Sequence, residues 1–308
     1  MTIIYNIQIL PLRGKGVSLM NLRGIWVPLI TPFKDNGLDL PSFKRLVEHY
    51  TSFEIAGLVP MGTTGESPTV NADEYERVLA ATMEYKPAHT PVIMGLGGND
   101  TQKLLHQLEW AEKYRVDGIL SVCPYYNRPS QEGIYQHFKA LASATDKPII
   151  IYNIPYRTGR VIENATLRRL AEIPNIVGLK DASGDIHQTI DLLLNPPPNF
   201  TILCGEDAFF YTSLLHGGDG GILASAHVQT KTFIDIFKLT QDNDHSSALK
   251  LWKPLTAFIP LLFAEPSPAP LKYLLRRDGL IESDEIRLPL VNITPQLAGR
   301  LDDIVKHI

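Results

Sequence analysis

From Gly24 onward, short uninterrupted apolar runs alternate with longer segments whose apolar residues recur at helical spacing. The runs cover residues 24–30, 56–61, 92–95, 118–122, 148–152, 176–179, 200–204 and 220–224. They are continuous rather than alternating, the pattern of strands buried on both faces of a parallel sheet. The segments between them carry helix starts: Asn71-Ala-Asp-Glu74 approximates a capping box, and Asp100 precedes the next helix as an N-cap. Eight strand–helix units of roughly 25 residues each match a (β/α)8 TIM barrel. The competing arrangement, a doubly wound open sheet, lacks its dinucleotide signature. Gly95-Leu-Gly-Gly98 has no third glycine and sits at the third strand, so it reads as a plain βα turn.

Past Ala226 the pattern becomes helical throughout, interrupted at Glu265-Pro-Ser-Pro-Ala-Pro270, where three prolines forbid a continuous helix. The expected organisation is an N-terminal extension (1–19), a catalytic barrel (20–225) and a C-terminal helical appendage (226–308). The segment before Met20 lacks the basic start and cleavage pattern of a signal peptide, and reads as a ragged extension or a mis-assigned start.

Composition narrows the function classes. The chain has 308 residues, 44% hydrophobic and 20% charged, with a net charge of −4. That balance gives no electrostatic reason to expect nucleic acid or an anionic membrane as partner. No apolar stretch approaches the roughly 20 residues that span a bilayer. Only Cys123 and Cys204 are present, so no disulfide framework is implied and a reducing, cytoplasmic setting fits. No two histidines lie four residues apart and there is no Cys-x-x-Cys, which argues against a zinc site.

In a barrel of this kind reactive groups sit at the C-terminal ends of the strands. That rule selects Gly62-Thr-Thr-Gly-Glu-Ser67, Cys123-Pro-Tyr-Tyr-Asn-Arg-Pro129, Tyr152 with Arg157, Lys180, Cys204-Gly-Glu-Asp207, and Ile222 with Leu223. Lys180 closes the run Asn-Ile-Val-Gly-Leu-Lys. Desolvation at a strand end lowers an amine's pKa, and a neutral amine attacks a ketone to form a Schiff base. A lone strand-end lysine is more often a snorkelling surface charge. Thr63, Thr64 and their flanking glycine amides can hold a small carboxylate, or serve only as a polar turn. Tyr125 and Tyr126 are either packing aromatics or proton shuttles. Arg157 offers a fork for a second carboxylate, or a surface ion pair. Cys123 and Cys204 read as buried small hydrophobes, and His227 as a hydrogen-bonded structural histidine. Convergence on one barrel end is what raises the chemical reading.

At these residues the sequence resembles a known family. Gly-Thr-Thr-Gly-Glu-Ser, Pro-Tyr-Tyr-Asn-Arg-Pro, Tyr-Asn-Ile-Pro-x-Arg-Thr-Gly and Gly-Leu-Lys-Asp are similar, in this order, to the signatures of the dihydrodipicolinate synthase family. That family lies within the pyruvate-aldolase superfamily, which also contains N-acetylneuraminate lyase. The likeness runs from about Met20 to the C-terminus. It implies a class I lyase of lysine and diaminopimelate biosynthesis that condenses pyruvate with L-aspartate 4-semialdehyde and needs no cofactor or metal. By motif, Lys180 would form the Schiff base and Tyr152 would transfer protons. Thr63 and Thr64 would hold the pyruvate carboxylate, with Thr63 linking Tyr152 to Tyr126. Tyr126 would reach the site of a neighbouring subunit, which implies a homodimer, commonly doubled to a homotetramer. Arg157 would bind the aldehyde's carboxylate, while Gly205 and Ile222 would lend backbone groups to the pyruvate pocket.

The departures are informative too. Ser67, Asn99 and Tyr125 match a lysine-feedback pocket known in some members, but Ala72, Tyr75 and Lys103 replace two histidines and a glutamate. Weak or absent inhibition by lysine is therefore expected. Tyr156 is bulkier than the small residue common there, and Cys204-Gly-Glu-Asp stands in place of Ser-Gly-Asp-Asp. The competing functions are a sister aldolase or dehydratase acting on another 2-keto acid or sugar acid, and a non-catalytic keto-acid-binding barrel.

Overall fold

The computed structural model describes residues 20–308; the expected extension at 1–19 lies outside the described residues. Eight parallel strands form one sheet: β1 (Gly24–Val27), β2 (Gly57–Leu58), β3 (Ile93–Leu96), β4 (Gly118–Val122), β5 (Ile149–Asn153), β6 (Ile176–Asp181), β7 (Thr201–Cys204) and β8 (Gly220–Ile222). Their order is β2-β1-β8-β7-β6-β5-β4-β3. A bridge between Leu58 and Val92, and the Gly95 N–H donated to the Pro60 carbonyl at 2.9 Å, bring the two ends together as a barrel.

The continuous apolar runs follow from burial on both faces. Along β5, Ile150 faces the barrel interior with Trp26, Leu120, Leu203 and Ile222, whereas Ile149 and Ile151 face the helical layer. Interior space is tight. A Cβ on Gly57 would lie 2.3 Å from the Trp26 ring, so the strand must carry glycine there. Several strands end earlier than the runs suggest. β1 stops at Val27 because Pro28 has no N–H to donate, and β2 stops before Pro60. β6 instead runs two residues past the expected end, because Lys180 and Asp181 keep their pairing with Tyr152 and Asn153 of β5.

Helices α1 (Leu40–Thr51), α2 (Ala72–Tyr85), α3 (Thr101–Lys113), α4 (Gln131–Ser143), α5 (Asn164–Ala171), α6 (Ile186–Leu194), α7 (Phe210–Leu215) and α8 (Thr230–Gln241) follow the eight strands in turn. The capping box at α2 is complete. Asn71 Oδ1 accepts from the Glu74 N–H at 3.0 Å, and Glu74 Oε2 accepts from the Asn71 N–H at 3.2 Å.

Beyond α8 lie α9 (His245–Leu262), α10 (Ala269–Arg277) and α11 (Pro295–Ile304). The proline-rich stretch breaks the chain between α9 and α10, as its composition predicts. Helix is not continuous afterwards: residues 279–293 run as irregular chain across the barrel's flank. Side chains anchor this stretch. Arg287 donates to both Glu74 oxygens, at 2.6 and 2.7 Å, and its guanidinium lies 3.9 Å from the Phe33 ring centre.

Candidate active site

Lys180 leaves β6 inside the mouth of the barrel and is only 6% exposed. Tyr152 is its register partner on β5, and the Lys180 Nζ lies 4.2 Å from the centre of the Tyr152 ring. On the other side β7 leads into Gly205. A Cβ there would stand 2.7 Å from Lys180 Cγ, so glycine is what lets the lysine side chain pass. The Gly205 N–H donates to the Asp181 carbonyl at 2.7 Å, fixing that approach.

Thr63 and Thr64 arrive on the turn after β2. The Gly65 N–H donates to Gly62 O and the Glu66 N–H to Thr63 O, both at 3.1 Å. Thr31 Oγ1 donates to Gly65 O at 2.7 Å, tying the turn to the loop after β1. Arg157 sits in a single helical turn, Pro155–Thr158, just past β5. Ile222 closes the floor at the end of β8, fully buried.

Thr63, Thr64, Tyr152, Arg157, Lys180, Gly205 and Ile222 thus line one cavity of about 430 Å³. Tyr126 does not join them. It is 88% exposed, with a left-handed φ of 71°, and does not line this cavity of its own chain. Cys123 and Cys204 are buried as expected; burial pushes the Cys123 thiol up to about 12 and also raises the Cys204 thiol. His227 is also buried, its Nδ1 2.9 Å from the Ala224 carbonyl, and desolvation lowers its pKa to about 4.

The electrostatics favour an unprotonated lysine. Burial lowers the Lys180 pKa from the ordinary 10.5 to about 8, against the opposing charge of Asp207 and reinforced by Arg157. Burial raises the Tyr152 phenol well above its usual range, while the Arg157 charge and the Thr63 hydroxyl draw it down. Asp207 is buried and raised by desolvation, with the Ser225 N–H 2.6 Å from its Oδ1 holding it back. A neutral primary amine beside a phenol, hydroxyls and a guanidinium is a set that can attack a ketone and move protons around the adduct.

Three further groups line this cavity. Glu206 and Asp207 follow β7, in the strand-end segment Cys204-Gly-Glu-Asp207 selected from the sequence, which gave them no role. The strap Phe263–Ser267, between α9 and α10, closes the outer wall. Nothing in its proline pattern indicates that it reaches the site. A second cavity of about 340 Å³ shares Thr63, Tyr152, Ile154 and Arg157 with the first, and extends past Ser67, Ala72, Tyr75 and Tyr125. No carboxylate lines it; Asn99 and Lys103 do not line it either, and Lys103 is exposed on α3. The Tyr75 hydroxyl is bound to the Gly95 carbonyl, and its ring packs on Trp110 at 4.7 Å. Among the described residues no cluster of His, Cys, Asp or Glu could hold a metal ion, and no helix is long and apolar enough to cross a membrane.

A model of the dihydrodipicolinate synthetase family matches residues 21–308. The chain is 52% identical, over 283 residues, to 4-hydroxy-tetrahydrodipicolinate synthase 2 of Clostridium acetobutylicum, covering 92% of this chain and 99% of that protein. Among solved structures, dihydrodipicolinate synthase from Thermotoga maritima superposes with a TM-score of 0.90 at 36% identity, covering 93% of this chain and 98% of the other. The chloride-inhibited dihydrodipicolinate synthase from Acinetobacter baumannii, solved with pyruvate, gives 0.89 at 36% identity, covering 92% and 98%.

Proposed function

The chain belongs to the dihydrodipicolinate synthetase family, and from that premise we propose that it condenses pyruvate with L-aspartate 4-semialdehyde to 4-hydroxy-tetrahydrodipicolinate, a step of lysine biosynthesis. The observation that carries the reading is Lys180: a buried amine, lowered to about 8, packed on a tyrosine within a cavity that also presents Thr63, Thr64 and Arg157. In this reading the neutral Lys180 attacks the ketone carbon of pyruvate. Water leaves to give an iminium, with the carboxylate held by Thr63 and Thr64 and neighbouring backbone groups at Gly205 and Ile222. Tyr152 relays protons, and loss of a methyl proton yields the enamine. The enamine carbon attacks the aldehyde, and the amine of that substrate then adds to the iminium carbon and expels Lys180. The lysine is the electron sink throughout, so the scheme uses no cofactor.

Arg157 is assigned to the aldehyde's carboxylate. Tyr126 is assigned to the relay of a neighbouring subunit, which makes the working unit a homodimer or a homotetramer built from it. A cytoplasmic setting, and a division into catalytic barrel and C-terminal helical appendage, belong to the same reading.

The test is borohydride trapping combined with a coupled assay. Pyruvate and borohydride should give a stable adduct on Lys180, in the wild type and in Arg157→Ala alike. Arg157→Ala should lose roughly a hundredfold in kcat/KM for the aldehyde, the scale of a lost charge-assisted bidentate contact. No adduct on Lys180 would sink the mechanism. Cleavage of a 2-keto-3-deoxy acid in preference to condensation would reassign the second substrate.

A further inference from the structure

Three carboxylates line the catalytic cavity, Glu206, Asp207 and Glu265. Two are occupied. Asp207 is 3% exposed and accepts the Ser225 N–H at 2.6 Å. Glu265 accepts the Thr294 N–H at 3.0 Å through one oxygen and the Thr294 hydroxyl through the other, so it serves as an anchor for the start of α11. Glu206 differs: among the described residues its side chain makes no hydrogen bond and no ion pair, although it is half-buried. Arg157, exposed at the mouth of the cavity, likewise makes no ion pair and no side-chain hydrogen bond among the described residues. Both line the same cavity as Lys180 and Tyr152, so both stand near the reacting atoms. They nonetheless do not meet each other within ion-pair distance.

An unpaired anion and an unpaired cation across one cavity are complementary to a zwitterion. A half-buried charge left without a partner is costly, and a ligand of opposite charge relieves that cost on binding. The geometry points to Glu206 as the receptor for the α-ammonium group of an amino-acid aldehyde, with Arg157 receiving the same molecule's carboxylate. This rests on the function proposed above and deepens it, since pyruvate has no ammonium group and Glu206 therefore selects the second substrate. Two charged contacts together with the carbon that accepts the enamine make three points of attachment. Such a site distinguishes the two enantiomers of the aldehyde and rejects acceptors that lack the amine.

Glu206→Gln keeps the shape of the side chain and removes its charge. In this variant the pyruvate adduct should still be trapped on Lys180, which also shows that the site is folded. The KM for L-aspartate 4-semialdehyde should rise at least about tenfold, as for loss of one hydrogen bond to a charged group. Succinate semialdehyde, which lacks the amine, should compete with the same inhibition constant in variant and wild type, within about twofold. An unchanged KM for the amino aldehyde, or a parallel loss of succinate semialdehyde binding, would overturn the role of Glu206 while leaving the reaction assignment standing. Absence of turnover of the amino aldehyde by the wild type would overturn both.

Discussion

A primary amine held away from water is a different reagent from one on a surface, and Lys180 is the former. Its neighbours set how far the change goes: desolvation lowers its pKa, while the carboxylates of Asp207 and Glu206 oppose complete loss of the proton. The direction fixes a pH dependence. With the folded value near 8, below the ordinary 10.5, the neutral fraction grows as pH rises through 8. The rate of pyruvate-adduct formation should therefore climb about tenfold per pH unit below that point and level off above it. Stopped trapping of the adduct with borohydride across pH 6–10, on the order of half-unit steps, measures this. A profile still rising at the highest pH would mean that Lys180 titrates like an exposed lysine. At the same scale, Gly205 matters for what it lacks, since any side chain would collide with the lysine stem.

Among the elements, the turn that carries Thr63 and Thr64 is held from beneath by a part of the chain more than 200 residues away. Glu66 ends that turn in the left-handed conformation, φ 53°. Its carboxylate meets Lys272 of α10 at 2.5 Å, with the two side chains 1% and 0% exposed. Lys272 also donates to the Glu285 carbonyl at 2.8 Å and lies 4.3 Å from the Phe33 ring centre. The Arg287 N–H donates to Glu66 Oε2 at 3.2 Å. A buried pair of this kind adds little net stability over an apolar pair, but removing one member strands a charge. Lys272→Met should cost about 3 kcal/mol in urea unfolding, and adding Glu66→Gln should restore more than half of it. Equal stability of the two variants would show that the pair is not coupled. The element pattern predicted α2 and its capping box correctly, because caps are local chemistry. It missed the anchoring of residues 279–293, because nothing local marks which charges will be buried together.

For the whole molecule, the exposed Tyr126 is the telling residue. A tyrosine at a φ of 71° is a backbone outlier of the kind that clusters at functional sites, and its chain neighbour Tyr125 lines the second cavity together with Tyr152. If Tyr126 serves the site of a partner subunit, lesions in the two residues complement. Tyr126→Phe should lower kcat on the order of a hundredfold with the adduct intact, and Lys180→Ala should abolish turnover. Mixing the two variants and allowing subunit exchange should restore measurable activity, because some hybrid sites carry neither lesion. No recovery after verified exchange would show that Tyr126 does not serve the partner subunit's site. That second cavity also presents no carboxylate to an ammonium group.

By itself the sequence determined the barrel and the candidates at the C-terminal ends of its strands. Each follows from short-range rules: apolar periodicity, proline and glycine placement, and the delivery of strand-end residues to one face. Lys180, Tyr152, Thr63, Thr64 and Arg157 were legible for that reason. Only the tertiary structure decided which charges remain free once the chain has closed. Asp207 and Glu265 look as available as Glu206 in the sequence, but Ser225 and Thr294 occupy the first two. Likewise no pattern along the chain brings the strap Phe263–Ser267 to the cavity or Lys272 to Glu66. Pairings across hundreds of residues depend on packing, and burial and partnership are properties of the folded chain rather than of any segment of it.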